Sequence, residues 1–458
     1  MAINVTVLGA ADGTVTIPIT SAANAAVAQT ALYGISMAVT AGTLTQLDAS
    51  GTETLPAPAT AQIGLIAQGG TALAPLVIGN NSVAAVLNGT TAQTVVTGVS
   101  PGEVIAAGAA GGVVDNLGTN TQVFFGGGTN SFAALGSPVL NITPTAQVYL
   151  DGTGTFDVSF GATTIFAGVG AAVNVINTGD AANVVNLEPG DLVNALALSG
   201  AAITAATVNA AGAGLSVVQN GGAAVINAND SDVTVYGVAA GSDGSVTLFG
   251  GTGTDSVNNG SGLFRAGSGG GSNLVGSTLP AAATLVGGGA GDTLQGLGAG
   301  DLLVAGNGNE TLLGGFAPIV AIGFGGVDTG GTVTDITGGS SGGNTFFVGN
   351  GTTSITGNHG DAGGNSYVEL TAGPKTVDIT DFVSALDPSG APVANADMIS
   401  MAMPGGGLYQ LESGAAPAAG QVSLSYLSVD GSIATELQFG DGATWTLFNC
   451  MLQSGDFH

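Results

Sequence analysis

Between Gly287 and Leu313 the chain repeats every nine residues in two registers at once. Three units follow one another without a gap: Gly287-Gly288-Gly289-Ala290-Gly291-Asp292-Thr293-Leu294-Gln295, Gly296-Leu297-Gly298-Ala299-Gly300-Asp301-Leu302-Leu303-Val304, and Ala305-Gly306-Asn307-Gly308-Asn309-Glu310-Thr311-Leu312-Leu313. The acids Asp292, Asp301 and Glu310 are nine residues apart, and so are Leu294, Leu303 and Leu312. A glycine-rich turn, an acid, and a large apolar residue two positions on leave room for one short strand per unit. Such a strand cannot bury its leucine alone, so neighbouring units must stack. Upstream, Gly250-Gly251-Thr252-Gly253-Thr254-Asp255-Ser256-Val257-Asn258 satisfies the full pattern Gly-Gly-x-Gly-x-Asp-x-U-x, with U a large apolar residue.

The glycines allow a tight turn with positive φ and leave its carbonyls accessible. The acid at the end of each turn is expected to project toward its neighbour in the stack. Carboxylate and carbonyl oxygens would then surround a gap suited to Ca²⁺, a hard cation that takes six to eight oxygen ligands. The candidate ligands are Asp255, Asp292, Asp301 and Glu310, with Asn307 and Asn309 in the last turn. Like charges along such a stack would repel without the ion, which couples folding to calcium.

Residues 250–315 resemble the RTX family of type I secreted bacterial proteins, whose nonapeptide repeats form a calcium-loaded parallel β-roll. The resemblance rests on one full unit and three consecutive partial ones. Ala290 and Ala299 replace the third motif glycine, Leu297 a second and Ala305 a first, and Glu310 stands where aspartate is usual. The resemblance implies calcium as cofactor and export by a C-terminal signal to the cell surface or beyond. The N-terminus carries no basic residue and no compact apolar segment of a conventional signal peptide.

The rest of the chain reads as short strands between turns. Residues 1–20 predict a strand pair around Ala11-Asp12-Gly13, and Ser21 caps a predicted helix over about 21–39. From Tyr149 to Phe249, apolar clusters recur with Gly, Asn or Asp between most of them. Asn174, Asn177, Asn183, Asn186, Asn209, Asn220, Asn227 and Asn229 accompany these clusters, where asparagine can stack between rungs or take left-handed turn geometry. Sandwich, barrel and solenoid all fit this spacing, and the solenoid fits the asparagines best. Lys375–Phe382 and Asp397–Met401 predict capping strands, and Gly440–Phe448 a hairpin. The expected architecture is a mainly β chain: an N-terminal β-rich region with one helix over 1–148, a parallel β-solenoid over 149–364, and a C-terminal β cap with the export-signal region over 365–458.

Glycine makes up 82 of the 458 residues, yet 45% of the chain is hydrophobic, enough to build a core from small side chains. Two basic residues, Arg265 and Lys375, face 30 acids, for a net charge of −28. Nucleic-acid binding needs several cations to displace counterions from phosphates, so that class is excluded, as is attraction to anionic membranes. No stretch reads as a membrane span, because Gly, Asn, Gln, Thr and Pro interrupt every apolar run. The single cysteine, Cys450, reads as a buried apolar residue.

Polysaccharide lyases and epimerases also use β-solenoids, but their chemistry needs a base and cations to hold an acidic sugar. Arg265, His359, Lys375 and His458 stand apart in sequence, His359 in a turn that predicts exposure, so the chain reads as a non-enzyme. The leading expectation is a secreted structural protein that pairs with copies of itself into a surface layer or matrix fibre, organised by calcium. Strand edges without lysine favour that pairing, and Met1–Thr20 is a candidate strand for exchange between copies. The alternative is an adhesin or carbohydrate-binding solenoid that takes cell-surface polysaccharide as partner.

Overall fold

The computed structural model describes residues 3–9, 13–49, 63–68, 76–77, 84–87, 93–97, 102–108, 110–135, 145–150, 153–157, 162–168, 172–177, 184–186, 192–199, 206–210, 214–220, 224–237, 245–278, 282–323, 333–360, 363–387, 389–404, 406–412, 417–429, 432–452 and 456–457. Asn183, His458 and the first two residues of the turn at Ala11-Asp12-Gly13 lie outside them. The chain is a parallel β-solenoid with one helix and an antiparallel addition near the C-terminus. It divides into two compact halves, Met1–Val233 with Gly241–Ser245, and Thr234–Ala240 with Val246–His458.

In the N-terminal half two ladders of parallel strands run side by side in sequence. One leads from Thr45–Ala49 to Ala224–Asn227 and the other from Leu76–Val77 to Gly214–Asn220; Thr45–Ala49 pairs with the next strand, Ile63–Gln68, and from there each strand pairs with the second strand after it. The first ladder passes through residues 148 and 149 without interruption. Inward and outward positions alternate along the strands, and the inward ones are mostly aliphatic or aromatic, with Gln93, Asn116, Thr121, Asn130 and Thr163 buried among them. Val123, Val148 and Ile165 fill successive rungs of the interior.

Ala84–Leu87 and Val104–Ala107 break the alternation: every residue in them is buried. The cause is a lid on their outer face. Strands β1 (Ile3–Leu8) and β2 (Thr14–Ile19) form an antiparallel pair, and helix α1 (Ala22–Thr40) follows. Ser21 caps the helix by accepting the Asn24 N–H, as the sequence predicts. Val5, Val7, Val15, Ile17 and Ile19 of the pair join Ala25, Ala28, Leu32 and Ile35 of the helix against Val86, Ala106, Phe124 and Tyr149 of the first ladder. Phe124, Tyr149 and Phe166 stack at 4.9 Å between successive ring centroids. In the single chain the segment proposed for exchange therefore pairs with itself and buries its apolar face on its own solenoid.

Past Phe166 the same outward column continues as Asn186, Asn209 and Asn227. Asn209 Nδ2 donates to Asn186 Oδ1 at 2.9 Å and Asn227 Nδ2 to Asn209 Oδ1 at 2.8 Å, an amide ladder between rungs. Asn229 takes the other expected role, with φ of 52° in a turn.

In the C-terminal half the first ladder runs from Val246–Phe249 to Met398–Ile399 and the second from Asp255–Gly260 to Lys375–Ile379. The second ladder then accepts Ala443–Phe448 in parallel, followed by Ser432–Phe439 and Gln421–Val429 in antiparallel and the short Gln410–Glu412 in parallel. The predicted hairpin at 440–448 is thus part of a three-strand meander that ends this sheet. Trp445, Leu437, Leu447 and Val422 bury its inner face.

Candidate functional site: the glycine–acid turns

Val257, Leu294, Leu303 and Leu312 all point into the interior, as their register predicts. Stacking differs from the expectation in one respect. Thr284 pairs with Leu302 and Leu302 with Val320, eighteen residues apart each time, while Thr293–Gly296 and Glu310–Gly314 belong to the other ladder. Consecutive nonapeptides therefore alternate between the two sheets, and each stacks on the second unit after it. Asp292 and Glu310 share one column, and Asp301 lies in the other.

The glycines also act differently from the expected tight turn. Positive φ falls on the residue before the acid at Gly291 (+88°) and Gly300 (+81°), and on a motif glycine only at Gly308 (+109°), two residues before Glu310. The leading motif glycines are needed for close approach: a Cβ on Gly287 would lie 2.2 Å from Glu310 Oε2, and one on Gly306 2.4 Å from the Gly287 carbonyl carbon. Rungs touch there through bare backbone.

The acids turn inward and are buried: Asp255, Asp292 and Asp301 are 0% exposed and Glu310 3%. Each accepts backbone amides. Asp292 Oδ1 accepts the Ser272 N–H from the rung before at 2.8 Å, and Oδ2 accepts Gly288 N–H from its own turn at 2.7 Å. Asp301 repeats this with Ala283 N–H at 2.7 Å and Gly298 N–H at 2.9 Å. Asp255 Oδ2 accepts Gly267 N–H at 2.9 Å and Glu310 Oε2 accepts Gly306 N–H at 2.7 Å. A strand start at a turn leaves amides without ladder partners, and a buried amide without an acceptor is costly. The carboxylates supply the acceptors. Asn307 and Asn309 instead lie exposed in their turn, with the Asn307 N–H on the Gly288 carbonyl and the Asn309 carbonyl accepting Gly291 N–H.

The same position does the same work where the nonapeptide signature is lost. Ser272 Oγ accepts Asp255 N–H at 3.0 Å. Asn344 Oδ1 accepts Ile319 N–H at 3.1 Å and Gly339 N–H at 2.9 Å. Asn365 Oδ1 accepts Asn344 N–H at 3.0 Å, and Asp397 Oδ1 accepts Asn365 N–H at 2.7 Å. Sequence reasoning missed these residues as members of the set. Their signal was a small polar residue two positions before a buried apolar one, as in Ser272-Asn273-Leu274, Asn344-Thr345-Phe346, Asn365-Ser366-Tyr367 and Asp397-Met398-Ile399.

Burial pushes the Asp301 carboxyl above its ordinary range, opposed by the amides of Ala283, Gly298 and Leu297. Glu310 is pushed up to about 7, first by burial and further by the charge of Asp292, against the Gly306 amide. Its Oε1 is buried without a hydrogen-bond partner. Hard oxygen donors of the kind calcium takes meet at this spot, and one carboxylate oxygen has no amide on it. At Asp292 and Asp301 both oxygens are already engaged. Among the described residues no three or more His, Cys, Asp or Glu side chains are grouped to hold a metal ion.

Two further clusters lie in the C-terminal half. His359 is exposed, as its turn predicts, but its ring is engaged: its Nε2 lies 2.8 Å from the buried Asp397 Oδ2 and its Nδ1 3.6 Å from Asp381 Oδ2. Lys375, separate in sequence from every other cation, is buried and paired with Glu369 at 2.7 Å, while Tyr409 donates to the other Glu369 oxygen at 2.5 Å. Cys450 is buried, and burial pushes its thiol up to about 12. A cavity of about 810 Å³ opens nearby between Phe382, Leu386, Val393, Tyr426, Ile433 and Met451.

A comparison of the chain with protein-family models, curated proteins and solved structures found no match. No helix among the described residues is long and apolar enough to cross a membrane.

Proposed function

We propose that the chain is a structural protein that works outside the cell by assembling with copies of itself into a surface layer or matrix fibre. The observation that carries this reading is the ladder itself. Rung after rung repeats the same strand pairing, and the buried acids and amides at the turns bridge one rung to the next. A stack of this kind presents long rows of identical spacing, the geometry that repeated self-contacts need.

Calcium belongs to the proposal as the ion that completes the column of Asp292 and Glu310. A divalent cation there would relieve the repulsion between two buried acids and use the unbonded Glu310 oxygen. The resemblance of residues 250–315 to the RTX repeats supports the same ion and an export route to the exterior. Sedimentation velocity in millimolar Ca²⁺ and in excess chelator tests the reading. Large species that need calcium are expected; a monomer under both conditions would contradict it.

One observation favours the adhesin reading as an alternative. A groove of about 360 Å³ on the outer face of the N-terminal half is lined by Asn120, Gln122, Thr145, Gln147 and Thr164, neutral hydrogen-bonding groups suited to a glycan, with Ala146 and Ala162 between them. Retention of the monomer on a neutral glycan array, lost in Gln147→Ala, would favour that reading over assembly.

A further inference from the structure

The second sheet of the C-terminal half ends on Gln421–Val429, whose only described neighbour beyond the hairpin is Gln410–Glu412, paired to Gln421–Ser423. Among the described residues no strand pairs with Leu424–Val429 on the side away from Ser432–Phe439. The direction of its backbone groups follows from one bond. Gly440 N–H donates to the Gln421 carbonyl, so Gln421, Ser423, Ser425 and Leu427 face the hairpin partner. The alternate residues Leu424, Tyr426 and Ser428 turn their N–H and C=O groups to the open edge.

Natural edge strands are protected by lysine, proline, bulges or inward charge. Gln421-Val422-Ser423-Leu424-Ser425-Tyr426-Leu427-Ser428-Val429 has none of the residues that protect, and no charge at all, in a chain of net charge −28. Tyr426 is 51% exposed and Leu427 38%. Two such polyanions approach each other with least repulsion along an uncharged strip. The strip is also self-complementary: about a two-fold axis at Tyr426, Leu424 lies opposite Ser428 of the other copy and Tyr426 opposite Tyr426, each pair with edge-facing backbone groups. Leu427 falls opposite Ser425, so small and large side chains alternate across the seam.

We propose that this edge is a homotypic interface, in which the Leu424–Ser428 segments of two copies pair antiparallel and join their sheets end to end. The inference rests on the self-assembly reading and names the contact. The edge accepts an extended backbone, and the two-fold match makes a second copy of this chain its occupant.

The test is sedimentation equilibrium of the full chain and three variants. Ser428→Pro removes an edge-facing N–H and leaves the hairpin bonds intact, since those belong to the alternate residues. Tyr426→Lys installs the usual guard of an edge. Ile433→Lys, on the neighbouring strand, is exposed but off the edge and serves as control. The parent chain and Ile433→Lys should form dimers, while Ser428→Pro and Tyr426→Lys should weaken dimerisation by about tenfold or more with unchanged β-sheet circular dichroism. If both edge variants associate like the parent, the interface is overturned. Larger assemblies formed equally by parent and edge variants would keep the structural reading and refute only this contact. Dimers without any larger species would keep the contact and remove the layer or fibre. A parent chain that stays monomeric at all concentrations refutes both.

Discussion

Replacing Asp301 separates the two roles a buried carboxylate can have in these turns. Its oxygens accept Ala283 N–H at 2.7 Å and Gly298 N–H at 2.9 Å, and the side chain is 0% exposed. Asp301→Ala strips both amides of their acceptor while keeping them buried. Each orphaned donor costs about 1–3 kcal/mol, so the change should cost about 4 kcal/mol. Asp301→Asn keeps one carbonyl oxygen, and Asn344 shows what that oxygen can do in the same column, where it accepts two amides at 3.1 and 2.9 Å. The asparagine variant should therefore lose only about 1–2 kcal/mol. Both should be measured in chelator and again in millimolar Ca²⁺ by urea unfolding, with the single tryptophan, Trp445, as the buried reporter, and by hydrogen exchange at Ala283 and Gly298. The alanine change should expose both amides to exchange and the asparagine change neither fully. Equal losses for the two variants, seen only when calcium is present, would show that the carboxylate acts as a metal ligand and would refute the amide-bridge account.

Other consequences concern charge and packing. Glu310, held at about 7 against an ordinary 4.5, is more easily kept protonated in the folded chain. In chelator its contribution is fully present below about pH 4.5 and is lost as pH rises through 7, by about 3 kcal/mol in all; Glu310→Gln should flatten that slope in a pH series of urea midpoints. His359→Leu removes a partner from the buried Asp397, whose carboxyl burial already pushes up, and should cost about 1–3 kcal/mol with faster exchange at Asn365 and Val383. Tyr149→Ala breaks the aromatic stack under the helical lid and should cost about 3–5 kcal/mol, with protease sensitivity rising in residues 3–40 before the rest of the N-terminal half.

The nonapeptide register made the strands and the buried leucines legible, because a period of nine with one large apolar residue admits few other folds. Ser21 and the alanine-rich run after it were equally plain as a capped helix. The period could not say which unit stacks on which. Neighbours nine or eighteen residues apart produce the same sequence, and only the path of the turns distinguishes them. The acids carried a similar ambiguity, since a carboxylate that ligates calcium and one that accepts amides are the same residue at the same place. Ser272, Asn344 and Asn365 resolve it in part: neutral side chains take the same bonds there, so the position requires an oxygen before it requires a charge. The exposure of His359 was legible from its turn, but its bond to Asp397 was not, because that partner is distant in sequence and reaches it only through the stacking of rungs. The lid over Val86, Phe124 and Tyr149 left its trace as unbroken apolar runs, Ala84–Leu87 and Val104–Ala107, which a strand exposed on one face would not carry.

Electron microscopy of the purified chain in millimolar Ca²⁺, repeated in excess chelator, tests the central proposal most directly. Ordered sheets or fibres that form with calcium and disperse without it are the predicted result. Monodisperse particles under both conditions would contradict it.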